Sequence, residues 1–73
     1  MPLTFEEAAA CRPEEMERNE LVALLPRLEA LYSVMSEDMP DETDPEAFEA
    51  RAEQLEVLDD LMDDIHDLLE EEP

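Results

Sequence analysis

Phe48, Leu55, Met62 and Leu69 stand seven residues apart in a stretch, from Pro45 to Glu72, that has no glycine and no internal proline. Leu58 and Ile65 fill the positions between them, and Leu61 and Leu68 widen the row on one flank. At about 100° per residue these side chains form one apolar stripe roughly 160° wide on a helix running from 45 to about 71. A half-buried strand would need alternation with a period of two, which is absent. Asp44 and Pro45 are an N-cap and first-turn pair, and Glu46 and Glu49 suit the positive end of the helix dipole. Such a helix is about 40 Å long, and its stripe must be covered by something.

A second stripe lies upstream. Leu21, Leu24, Leu25, Leu28, Leu31, Tyr32, Met35 and Met39 follow i, i+3, i+4, i+7 spacing and predict a helix over about 14–38, with Pro13 at its start. Pro26 falls opposite this stripe. An interior proline costs about 3 kcal/mol, but on a wet face water serves the carbonyl it leaves free. A continuous helix bent toward the core is therefore expected, not a break. Residues 39–44 form the connector, and so short a loop between long helices implies an antiparallel helical hairpin.

Near the N-terminus, Thr4 and Glu7 have capping-box spacing, Leu3 and Ala8 sit at staple positions, and Ala8 to Ala10 favour helix. Pro13 ends this segment, so a short helix over about 5–11 is expected. Residues 1–73 read as a single all-α domain.

A chain of 73 residues buries a limited core. Cys11 is the only cysteine, so no intrachain disulfide can help. Among alanines it reads as a small core residue in a reducing compartment rather than a nucleophile. The stripe of the last helix is too wide for a two-helix contact, and the short first helix covers only part of it. The expected remedy is homodimerisation into an antiparallel four-helix bundle, or docking on a partner helix, through the stripe Leu21, Leu24, Leu28, Leu31, Met35, Phe48, Leu55, Leu58, Leu61, Met62, Ile65, Leu68 and Leu69.

The formal charge is −20, from 24 acids against four arginines and no lysine. Direct binding to nucleic acid or an anionic membrane is excluded for want of a basic footprint. On the wheel of the last helix, Glu46, Glu49, Glu53, Glu56, Asp59, Asp60, Asp63, Asp64, Asp67, Glu70 and Glu71 fall within about 140°, opposite the apolar stripe. That is one acid per roughly 3.5 Å of axis, beside one phosphate per about 3.4 Å of a DNA strand.

The leading expectation is a non-enzymatic protein–protein interaction module. It offers an acidic face, Glu49, Glu53, Glu56, Asp59, Asp60, Asp63, Asp64 and Asp67, to a basic protein. One alternative is a nucleic-acid mimic that inhibits a DNA- or RNA-binding protein. Another is a small chaperone or assembly factor that masks a partner helix with its apolar stripe. The plain alternative is a solvated face, or adaptation to salt. Like charges at i, i+4 and the acids Glu70 to Glu72 at the negative helix end cost stability, which a purely structural face would have no reason to carry.

Asp63 and His66 have the i, i+3 spacing used in di-iron bundles. The chain has no second histidine, and Asp63 falls on the wet arc, so His66 reads as a border residue and no metal or cofactor is expected. A glycine-rich phosphate loop is impossible without glycine, and Cys11 and His66 are too far apart in the chain to suggest a catalytic dyad. No enzymatic activity is expected. The start lacks a basic n-region, and no apolar run approaches the roughly 18 residues of a membrane span, so a cytoplasmic protein is expected.

Overall fold

A computed structural model of the chain describes residues 3–71. Met1, Pro2, Glu72 and Pro73 lie outside them, Glu72 being one of the C-terminal acids considered above. Every regular element among the described residues is a helix, so the chain is all-α.

The first helix, α1, spans Phe5–Ala10. Thr4 is its N-cap: the Thr4 hydroxyl oxygen accepts from the Glu7 backbone N–H at 3.2 Å. The same hydroxyl donates to Glu7 Oε1 at 3.1 Å, so the glutamate closes the cap on the side chain of Thr4 instead of its backbone. The helix stops one residue before the expected end, because Cys11 and Arg12 are extended ahead of Pro13.

Pro13–Glu15 forms a separate 3-10 turn, closed by bonds from the Glu15 N–H to the Arg12 oxygen and from the Met16 N–H to the Pro13 oxygen. This corrects the expected start of the long helix at 14: α2 spans Arg18–Glu37. Met16 and Glu17 are extended, and Met16 packs on the core from there. Glu17 then starts a new helix, with its N–H donating to Glu20 Oε2 at 3.2 Å. Proline suits a first turn, but a second cap downstream overrode its continuation.

Pro26 lies within α2, which runs through it unbroken, and the proline is exposed. Leu21, Leu24, Leu28 and Met35 are buried, as the stripe required, and Leu25, Leu31 and Tyr32 flank them half-buried. After Asp38 the connector turns through a bond from the Asp44 N–H to the Asp41 oxygen. Asp44 Oδ1 accepts from the Ala47 N–H at 3.3 Å and caps α3, which spans Pro45–Glu71.

The core cluster joins Ala8, Leu21, Leu24, Leu28, Met35, Leu58 and Ile65. It lies where α2 packs along α3, with α1 and the 3-10 turn also resting on α3. Among the described residues only Leu28, Leu58 and Ile65 are large side chains fully shielded from solvent. The chain is a rod of 48 × 24 × 17 Å with a radius of gyration of 13.5 Å. A compact chain of this length would have about 11 Å.

The stripe of α3 is not uniformly core. Phe48 is 39% exposed, so within a single copy this part of the stripe is left uncovered. Leu55, Leu61, Met62, Leu68 and Leu69 are half-buried. The cause is geometric: each heptad on a straight helix falls about 20° short of two full turns. With Leu58 and Ile65 marking the core direction, Leu69 lies about 30° from it and Phe48 about 90°.

Candidate interaction surface on the third helix

The apolar row that anchors α3 also fixes the orientation of its acids. With Leu58 and Ile65 buried, the opposite arc must face solvent. Glu49, Glu53, Glu56, Asp59, Asp60, Asp63, Asp64 and Asp67 are all exposed, along with Glu46, Glu70 and Glu71. The expected acidic face is thus a single continuous surface of one helix.

Arg51 is the one basic residue on α3, and it does not serve that face. Its Nη1 donates to the Met35 oxygen at 3.0 Å and to the Asp38 oxygen at 2.8 Å, both at the C-terminal end of α2. That end has no glycine cap and no basic residue in its last turn. Its carbonyls carry the negative end of the helix dipole and need donors. The guanidinium supplies both a donor and a charge there, and the acidic arc is left without a cation from its own helix. Periodicity alone missed this role. The available signal was a helix end without a cap, facing a helix with a single arginine.

Asp63 and His66 are both exposed, and they share an open surface depression with Asp59, Asp60 and Met62. Among the described residues no three histidine, cysteine or acidic side chains are grouped to hold a metal ion. Asp60 and Asp63 also border a second open groove, lined with Asp64, Glu14, Ala8, Cys11, Pro13, Val57 and Leu61, where α1 and the 3-10 turn meet α3. Ala8 and Pro13 are buried there, and Ala8 belongs to the core cluster. Cys11 is half-buried and its Sγ donates to the Glu7 oxygen at 3.3 Å.

Among the described residues no helix is long and apolar enough to cross a membrane. The chain matches no family model, no curated protein and no solved structure.

Proposed function

We propose that this chain is a non-enzymatic interaction module whose α3 acids dock on a basic protein. The observation that carries the reading is the placement of Arg51. The one cation of α3 is committed to the carbonyls of Met35 and Asp38, while eleven acids of the same helix stand exposed. Like charges at i, i+4 each cost a few tenths of a kcal/mol, so the uncompensated arc gives up stability that a cationic partner restores. Exposed carboxylates on a convex helix lack the water-excluded setting that acid–base catalysis uses, which is why the module is read as non-enzymatic.

The antiparallel α2–α3 hairpin is the frame of this proposal. Arg51, early in α3, meets the end of α2, as an antiparallel pair requires. A second copy completing a four-helix bundle is the competing occupant of the half-buried apolar residues. Light scattering on purified protein decides between monomer and dimer.

Affinity capture from the native host, eluted by a salt gradient, tests the acidic face. Basic proteins retained by the chain should be lost with the combined substitutions Asp60→Lys, Asp63→Lys and Asp67→Lys. Retention of the same proteins by that variant sinks the reading. Displacement of the partner by DNA or RNA would favour the nucleic-acid mimic over a protein-specific surface.

A further inference from the structure

We infer that the cleft between α2 and α3, on the side away from α1, is a docking groove for a basic amphipathic helix. The inference rests on the proposed acidic module and names the kind of partner it takes.

The helix wheel locates the cleft. Phe5 and the residues around Ala8 and Pro13 lie against the flank of α3 that carries Ala50, Val57 and Leu61, leaving Val57 43% exposed. Measured from the buried Leu58–Ile65 row, Leu61 lies about 50° to that side. Met62, Leu55 and Phe48 lie about 50–90° to the opposite side. On α2, Leu28 and Met35 mark the core direction, and Tyr32 and Leu25 lie about 50–70° from it. In an antiparallel pair of right-handed helices, that flank of α2 turns to the same open side. Phe48 is exposed and Leu55, Met62, Leu25 and Tyr32 are half-buried, so five large apolar side chains fall on one flank of the α2–α3 pair.

The α3 rim is acidic: Asp59 and Asp63 share a surface depression with Met62. The α2 rim is mixed, with exposed Glu29 and Arg18 just beyond Leu25. Charge decides the occupant. A second copy would bring a chain of −20 against another of −20. A helix with an apolar row flanked by lysine or arginine meets the apolar row and the acidic α3 rim together, in the helix-in-groove mode.

The test uses the intact chain and two labelled synthetic peptides in fluorescence anisotropy. One is a helix with leucines at i, i+3, i+4 and i+7 and lysines on both flanks; the other has the same composition in scrambled order. The amphipathic peptide should bind about tenfold tighter or better, a preference of about 1.4 kcal/mol. Met62→Glu and Phe48→Glu should each remove that preference, and because Phe48 is already 39% exposed, its variant should still unfold cooperatively, with a midpoint only modestly below that of the wild type. Equal binding of both peptides overturns the groove and leaves the acidic module standing. Binding of neither overturns both. A stable dimer that Met62→Glu or Phe48→Glu dissociates assigns the cleft to a second copy and overturns the inference.

Discussion

Arg51 joins the start of α3 to the end of α2: its Nη1 donates to the Asp38 oxygen at 2.8 Å and to the Met35 oxygen at 3.0 Å. The Val34 oxygen before them already accepts from the Asp38 N–H, so Arg51 serves carbonyls beyond the reach of the helix ladder. Arg51→Met keeps the aliphatic reach and removes the donors. The expected loss is about 1–2 kcal/mol, the scale of hydrogen bonds to a charged group discounted for partial exposure. Urea unfolding monitored by circular dichroism reads it as a lowered midpoint. Arg51→Lys should recover part of the loss, since a cation near the helix end remains. A methionine variant as stable as the wild type would remove the cap from the account of the fold.

The two ends of the apolar stripe should behave differently on truncation. Leu28 is completely buried, so Leu28→Ala is expected to cost about 2–5 kcal/mol. At about 0.05–0.15 kcal/mol per residue, that is a large share of the total stability of so short a chain. Phe48→Ala, at a side chain already 39% exposed, should cost less than about 1.5 kcal/mol in isolated protein. Thermal melts of both variants check the ranking. Equal losses would mean that Phe48 is covered in solution, as it would be inside a dimer.

Pro26 allows a gain. It is exposed within a continuous helix, where its missing N–H leaves the Val22 carbonyl without an intrahelical donor. Pro26→Ala should raise stability by about 1–3 kcal/mol, the helix-interior cost of proline less the entropy that alanine returns to the unfolded chain. A higher unfolding midpoint with an unchanged slope would agree. A lower one would mean that the proline shapes α2 to fit the core.

These contrasts mark what the sequence could express. Local rules sufficed where one residue type has one strong use: Thr4 and Asp44 cap, Pro45 opens a helix, and Leu21, Leu24, Leu28, Leu58 and Ile65 lie on core-facing stripes. The start of α2 was misplaced because two adequate start signals, Pro13 and the Glu17–Glu20 pair, compete within one turn, and the side chain of Met16 packs on the core between them. Phe48 was legible as a member of the stripe but not as its less covered end, because a heptad reading assumes a supercoil that keeps all its members on one seam, whereas an isolated helix lets them drift. Arg51 was not legible, since its partners lie on another helix, 13 and 16 residues away in the chain. The acidic arc was fully legible as a surface. What meets it is a property of a second molecule, on which one chain's periodicity has no bearing.

The acids should make this fold depend on salt in an unusual direction. Six pairs on α3 repeat at i, i+4: Glu49–Glu53, Glu56–Asp60, Asp59–Asp63, Asp60–Asp64, Asp63–Asp67 and Asp67–Glu71. Each opposes the helix by about 0.2–0.5 kcal/mol at low ionic strength, so together they withhold on the order of 1–3 kcal/mol. Raising sodium chloride from about 0.01 M to about 1 M shortens the Debye length from about 30 Å to about 3 Å, which removes much of that cost. For a domain this small each kcal/mol moves Tm by about 4–8 °C, so a rise of roughly 5–15 °C is expected. The combined variant Asp60→Asn, Asp63→Asn and Asp67→Asn breaks all but one of the six pairs, leaving Glu49–Glu53, and should melt higher at low salt with a flatter salt response. If wild type and variant show the same slope against salt, the acids do not strain α3, and the energetic reason for a cationic partner disappears.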